Sequence, residues 1–509
     1  MIARRGLLVT GHAAFYAEGT DMWRIIVLSL ALGASALRLS CSPLFVQTPD
    51  DLWPQWRNFV EAFPLPAGTW VVRLPLGFEP PGDSVSLNLG GPGKKVGLMP
   101  LVPVARLGDE RRAATRAEVD QGLVRTLPLC KVSLPDVALP LDGSLPDGPG
   151  YPLVSDVCLG LKSSDGRLRQ WYSRLPSSPP NAGASIAWIE AVGDIMPARG
   201  VDSVLIAEGG LEIVFGDTLA LLRGSSFLLG NLESSAALSG AAQDKSYTFR
   251  FHPEAVGALK RAGFSYLSLA NNHTFDFGVQ GFLQTLNALS TWQVSTSGAG
   301  TNLEEAGRPA VAMIGAQEIR ILSFGAFPVD VTGFDGRVVE RAQGSRPGIL
   351  WLDSQGFAAA AKGFAGNGAF NIAFVHGGTE WSVTPTSQQR RLYRQLVRHG
   401  ADLVIGAHPH VLEGMEAFDG RLIAYSLGNF IFPGMQGTPG GQDSVILRLG
   451  VYEGKVRYVQ AFPVHLEDGT VRRAADEPAW QELMSRTRAL TDAGVRPEDG
   501  WQKITREVF

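Results

Sequence analysis

The stretch LVIGAHPHVLEG, Leu403 to Gly414, ends an apolar run in two histidines separated by one proline. The chain has eight histidines in 509 residues, and four of them fall where apolar runs give way to polar residues. Two are His408 and His410; His273 follows Asn271 and Asn272 in NNHTFDFG, which also carries Asp276; His376 opens HGGTEW, which carries Glu380. Three further apolar runs end in VGDIMPARG with Asp194, in GNLES with Asn231 and Glu233, and in SLGNF with Asn429. Imidazole nitrogens with carboxylate and amide oxygens form a mixed donor set. Such a set suits borderline divalent ions such as Mn, Fe or Zn, one or two of them. In extended backbone, residues i and i+2 project to the same side, and Pro409 biases His408 toward extended dihedrals, so both imidazoles are expected to aim at one point. Each piece alone has a plainer reading. A lone strand-end histidine is commonly a hydrogen-bonded core residue, and NNH or GD can be a simple turn. The combination, in order and all at strand ends, points to a shared polar site.

Such a site needs strands whose carboxyl ends meet, the usual place for ligands in α/β proteins. After Ala184 the sequence supplies them. Buried-type runs (SIAWIEAVGDIM, FLLGNLES, YLSLANNH, IRILSFGAF, FNIAFVHGG, DLVIGAHPH, RLIAYSLGNF) alternate with helical segments (HPEAVGALKRAG, VQGFLQTLNALST, SQGFAAAAKGF, SQQRRLYRQLVRHG). In the last of these, Leu392, Leu396 and Val397 share a face and Gly400 is placed to stop the helix. This pattern predicts an α/β architecture with helix-covered sheets. DSVILRLGVYEGKVRYVQAFPVHL predicts a hairpin turning at EGK, and Glu477 to Gly494 a surface helix. Residues 42–180 are rich in Pro and Gly and predict a smaller β-rich or α/β N-terminal domain with one helix near Asp109–Leu123; no chemistry is legible in it. Arg174–Ser185 reads as a linker. The expected organisation is thus 1–41, 42–180, 185–465 and a helical tail at 466–509.

Net charge is −4, with 45% hydrophobic and 18% charged residues, a globular profile with no global pull toward nucleic acid. Arg4, Arg5 and Arg24 precede Ile25–Leu37, a run of 13 apolar or small residues. A bilayer span needs roughly 20 residues, so this run fits a signal-peptide core, with Met22 as an alternative start. LRLSCSP offers Cys41 as a lipoprotein-type acceptor, with Arg38 departing from the usual box; a simple cleaved signal or an uncleaved helix are the other readings. The expectation is an exported, cell-envelope protein, periplasmic or on the outer surface, touching membrane through its N-terminus alone. With Cys41 lipidated, Cys130 and Cys158 could pair in that disulfide-permissive compartment.

VGDIMPARG, GNLES, LANNHTFDFG, HGGTEW and ADLVIGAHPHVLEGMEAFDGRLIAYSLGNFIF, together with GAGTNLEEAGRP, resemble the capsule-synthesis CapA, or poly-gamma-glutamate biosynthesis, family over roughly Ser185 to Phe432. That family is similar to calcineurin-like metallophosphoesterases. The resemblance implies a metallo-dependent phosphatase-like fold, a two-sheet sandwich flanked by helices. It implies Asp194, Glu233, Asn272, His376, His408 and His410 as metal ligands, with Glu233 in the place of the bridging carboxylate. It implies His273 as the catalytic histidine; of the other polar residues at these strand ends, Asp276 is a catalytic candidate and Asn231, Asn271, Glu380 and Asn429 are substrate-binding candidates. Two departures stand out: Met196, usual for the capsule family, where phosphoesterases carry a histidine, and Gly377 where the capsule family usually has tryptophan. The implied activity is metal-dependent hydrolysis of a phosphoester or amide in an anionic polymer such as poly-gamma-glutamate, or in its precursor, with membrane-bound polymer-synthesis machinery as a further partner. The alternative is a non-catalytic polymer-assembly or binding factor on the same fold. A third reading, polar strand ends as mere turn-formers, expects no metal.

Overall fold

The computed structural model describes residues 42–48, 56, 59–60, 63, 65–66, 69–74, 84–89, 94–109, 111–147, 151–175, 186–366, 368–474 and 478–494. Met22, Ile25–Leu37, Cys41 and residues 176–185 of the expected linker lie outside them. The described residues fall into two compact units. One comprises those up to Val102 with Thr126–Lys131 and Ser144–Ala184; the other comprises Pro103–Arg125, Val132–Gly143 and those from Ser185 onward.

The first unit is built on a mixed sheet. Strand Ser42–Gln47 lies between Thr69–Leu74 and Ser84–Leu89, parallel to both. Val154–Lys162 pairs antiparallel with Ser84–Leu89 and with the first part of Lys94–Arg106. Helix Gly166–Arg174 starts at Asp165, whose side chain caps it. Cys130 and Cys158 are buried and form no disulfide, against the expected pairing; Cys158 sits in a strand opposite Asn88 and Lys95.

The second unit holds two sheets. In one, Phe264–Ser268, Leu228–Leu232 and Ala187–Ile195 run parallel, and Asp443–Tyr452 continues the sheet antiparallel. In the other, Gln317–Ala326, Phe370–Gly377, Leu403–Ala407 and Arg421–Ala424 run parallel, with antiparallel edge strands Ala310–Ile314 and Met415–Phe418. The side-chain period of two sorts their residues into layers. Ile189, Leu229, Tyr266 and Leu447 of the first sheet share one buried cluster with Ile321, Ile372, Phe374 and Ile405 of the second. The second sheet's alternate residues, Leu322, Phe324, Ala373, Val375 and Val404, pack with Tyr393 and Leu396 of helix Ser387–Arg398. The first sheet's other face packs with Val256 and Leu259 of helix Ala255–Ala262 and with Phe282. Strands apolar on both faces explain why these runs read as unbroken hydrophobic stretches.

Local signals set the boundaries. Thr386 and Gln389 form a capping box at the start of Ser387–Arg398, and Gly400 (φ 102°) ends the segment. The expected hairpin turns through Glu453 and Gly454, both left-handed (φ 53° and 67°), a two-residue turn that matches strand twist. Two expectations change. The helix near 109–123 shrinks to Arg116–Asp120, because the Thr115–Glu118 capping box starts it late and Gly122 ends it. The C-terminal helix Pro478–Gly494 is not merely superficial: Leu483, Met484, Thr487 and Leu490 are buried, and Thr487 Oγ1 accepts from Met415 N at 3.0 Å. Among the described residues no helix is long and apolar enough to cross a membrane.

Gly193, just before the site, is packed against the segment after Tyr425: a Cβ there would stand 1.8 Å from Gly428 O. Gly193→Ala is therefore expected to lower the unfolding free energy by about 3 kcal/mol. Urea denaturation measures this, and wild-type stability in the variant would show that the contact relaxes.

Candidate metal centre

The strand ends assemble the site through one irregularity in pairing. Ala191 pairs with Leu229 and Asp194 with Asn231, so three steps on one strand meet two on the other. This bulge turns Asp194 to the face carrying Leu229 and Asn231. Glu233, two residues beyond Asn231, follows the same parity. In the second sheet His376 continues the inward series Ile372, Phe374.

His408 and His410 reach the site differently from expectation. Strand Leu403–Ala407 ends before them, and both have left-handed backbone, φ 99° and 58°. The imidazoles still converge, their centroids 6.1 Å apart, because the turn around Pro409 folds both inward. Pro409 O accepts from Trp381 N at 2.9 Å, and His408 N donates to Asp194 Oδ2 at 3.2 Å. Non-glycine residues in this conformation carry strain that the surroundings must hold.

The donors interlock. Asn231 Nδ2 donates to Asp194 Oδ1 at 2.8 Å and lies 3.1 Å from His376 Nδ1. His376 Nε2 is 2.8 Å from Asn272 Oδ1 and 3.4 Å from Glu233 Oε1. His410 Nδ1 is 3.3 Å from Asp194 Oδ2 and 2.9 Å from Asn429 Oδ1; its Nε2 is 3.7 Å from Glu233 Oε1. Asp194, Glu233 and His410 form one group with ligand atoms within 4.8 Å of one another, Glu233, His376 and His408 a second, and Glu380, His408 and His410 a third. Glu233 is common to the first two. The fit to a divalent cation rests on buried atoms left without partners: Glu233 Oε1 and both ring nitrogens of His408 make no hydrogen bond. Oxygen and imidazole donors together suit a borderline ion. These groups could hold a metal ion.

His273 and Asp276 lie outside these groups and form their own pair. His273 Nδ1 is 2.8 Å from Asp276 Oδ2, which also accepts from Phe249 N at 2.6 Å. Lys245 Nζ donates to Asp276 Oδ1 at 2.8 Å and to Asn272 O. Lys245 was not legible: in the polar loop AAQDKSYTF it reads as a solvated charge, yet its side chain is 2% exposed. Asn231, Asn271 and Asn429, expected to bind substrate, are fully buried and hold the framework instead. Asn271 donates to Asn231 Oδ1 (2.9 Å) and Leu232 O (2.8 Å); Asn429 donates to His410 O (3.1 Å) and Gly441 O (2.9 Å). Glu380 is exposed at the rim. Beside it Trp381, at φ 64°, lays its ring 5.4 Å from that of His410. Met196 is buried in the apolar core, and Gly377 packs against Ala326, leaving no room for a side chain.

The electrostatics follow from burial. Burial pushes Glu233 well above the usual carboxyl range, and the neighbouring Asp194 charge pushes it further. Burial also opposes ionisation of Asp194, but His410 beside it overrides this and holds the carboxyl low. Burial works against a charged His410, and Asp194 overcomes it to raise the imidazole. His376 is held well below its ordinary value, and His408 is lowered to about 3, by burial and then by the other histidines. Neutral imidazole is the form that ligates metal, and an ion entering would displace the Glu233 proton. Burial lowers His273 too, with Asp276 opposing.

The family described as bacterial capsule synthesis protein PGA_cap matches residues 189–434, which contain every residue of this site. The PGA biosynthesis protein CapA of Bacillus subtilis (strain 168) is 30% identical over 281 residues, 55% of this chain and 71% of that protein. The capsule biosynthesis protein CapA of Bacillus anthracis is 28% identical over 287 residues, 55% of this chain and 67% of that protein. A probable polyglutamine synthesis accessory protein of Mycobacterium tuberculosis is 28% identical over 280 residues, 47% and 72% of the two chains.

Glu413, on the turn after His410, gives a pH prediction. Burial pushes its carboxyl up to about 8, against the Gln389 amide, which donates to it at 2.8 Å, and the charge of Arg486. The folded protein therefore holds a proton that the unfolded chain releases near the ordinary value of 4.5. Its contribution to stability falls as pH rises from about 4.5 to about 8. Glu413→Gln is expected to flatten that decline and to be more stable than wild type at pH 8. Denaturant midpoints across the range measure it; parallel curves for the two proteins would contradict it.

Proposed function

The chain belongs to the bacterial capsule synthesis protein family, and from that premise we propose that it acts in the synthesis, export or processing of an anionic capsule-type polymer such as poly-gamma-glutamate, through a metal-dependent hydrolase site. The observation that carries this reading is the burial of Asp194, Glu233, His376, His408 and His410 around unpartnered donor atoms, beside the His273–Asp276 pair. Two facing sheets with helices on their outer faces support a metallophosphatase-like fold. The relatives' names support the polymer.

Asp194 and His410 would hold one ion, His376 and His408, with Asn272 nearby, a second, and Glu233 would be shared. Such ions supply Lewis-acid polarisation of a phosphoryl or amide carbonyl oxygen and an acidified water. The chain's own residues then manage position and protons. Asp276 fixes the His273 ring through Nδ1, and Lys245 fixes Asp276, so Nε2 is left to exchange a proton with the leaving group. Phe249 packs against the His273 ring, tilted at 36° with centroids 4.4 Å apart.

Buried Met196, standing where phosphoesterases carry a histidine, favours a second reading, in which the site holds metal and binds polymer without turning it over. Export to the cell envelope, and work beside membrane-bound polymer-synthesis machinery, belong to the proposal in either form. His273→Ala separates the two readings. The hydrolase reading expects polymer or model phosphodiester cleavage to fall by about 10²–10⁴, with metal content unchanged. Unchanged cleavage would remove His273 from the chemistry, and polymer binding without turnover in wild type would support the second reading.

A further inference from the structure

Arg199, next to last in VGDIMPARG, has a left-handed conformation, φ 57°. Like Asp142, Asp419, Glu453 and Asp468, it precedes a glycine, Gly200 (φ 92°), in a turn. Arg199 is held in place on three sides. Its guanidinium lies 5.0 Å from the centroid of Phe249, its Nη1 donates to Pro433 O at 2.8 Å, and any Cβ on Gly434 would stand 2.5 Å from Nη1. Phe249 is the ring that packs, tilted, against His273, and it meets Phe432 edge-on at 5.8 Å, which in turn lies 4.8 Å from His410. One aromatic ring therefore separates this cation from the proton-exchanging imidazole.

Arg346 and Arg472 bond backbone oxygens, while several arginines of the unit have acidic partners, Arg448 with Glu190, Arg394 with Glu416 and Arg421 with Asp402. Among the described residues Arg199 has none, and its hydrogen bond to Pro433 O is the one its side chain makes. It is exposed. A guanidinium fixed in orientation, with most of its five N–H donors open and no counter-charge, is built to receive a planar anion in fork geometry. Nearby, the rim presents Glu380, an exposed carboxylate that would repel an anionic chain. Arg199 is a cation not engaged in the ligand framework.

We propose that Arg199 is a specificity-determining residue that receives an anionic group of the substrate polymer, a side carboxylate in a γ-linked glutamate chain, next to the bond presented to the metal centre. This rests on the polymer-processing reading above. The test uses the full-length, manganese-loaded protein and a γ-linked glutamate oligomer, with its uncharged γ-linked oligomer of carboxamides as control. Binding is followed by calorimetry in wild type, Arg199→Gln and Arg199→Lys, with manganese content measured in each. Arg199→Gln is expected to weaken the charged oligomer about tenfold to a hundredfold, with the lysine variant intermediate, the uncharged oligomer unaffected and manganese unchanged. Wild-type affinity for the charged oligomer in the glutamine variant would overturn the proposal, as would equal loss for both oligomers. Failure of wild type to bind the charged oligomer would overturn it together with the poly-gamma-glutamate reading, while bound manganese would leave the metal centre standing.

Discussion

Two carboxylates and three imidazoles, Asp194, Glu233, His376, His408 and His410, are buried together where strands of two sheets end. Removing a single ionised group from water is costly unless it is paired or coordinates a metal. Here the pairing is incomplete. Asp194 has His410 and Asn231, but Glu233 Oε1 has only the longer approaches of His376 and His410 and no hydrogen bond, and both His408 nitrogens have none. A fold designed only for stability would fill this place with apolar side chains, as it does one layer below with Ile372, Phe374 and Ile405. The cluster is tolerated because the sandwich around it is large and well packed, and it has a purpose if a cation completes it.

The surrounding structure is arranged to hold these groups against their own electrostatics. A bulge brings Asp194 into register with Asn231. Asn271 ties Asn231 to Leu232 and the His273 backbone, and Asn429 ties His410 to Gly441. Left-handed backbone at His408, His410 and Trp381 is held by Asp194 and Pro409 O. Strain of this kind persists only where neighbours over-determine it. The buried asparagines are scaffolding for donors, whereas Glu380, Trp381 and Arg199 are exposed.

Much of the architecture could be read from the chain because strands apolar on both faces and capped helices leave strong local marks. Thr386, Gln389 and Gly400 bracket a helix, and Glu453–Gly454 turns a hairpin. The polar strand ends were legible too, since charged and amide residues seldom close an apolar run without reason. The geometry at His408 and His410 was not. Proline disfavours helical dihedrals before it, and that preference says nothing about a left-handed turn imposed by Asp194 and Trp381. Lys245 and Arg199 were invisible for a related reason. Their roles come from loops folded against Asp276 and Phe249, contacts distant in sequence that no local pattern records. The late start of Arg116–Asp120 was lost because an alanine- and arginine-rich stretch has helical propensity on both sides of its cap.

The central claim is that the convergent histidines are a ligand clamp. Elemental analysis of the purified protein, beside a His408→Ala/His410→Ala double variant that remains folded, tests it most directly. The account predicts near-stoichiometric manganese, iron or zinc in wild type and its loss in the variant. Equal metal in both proteins, or none in either after reloading with each ion, would contradict it and leave the buried cluster as a feature of the fold alone.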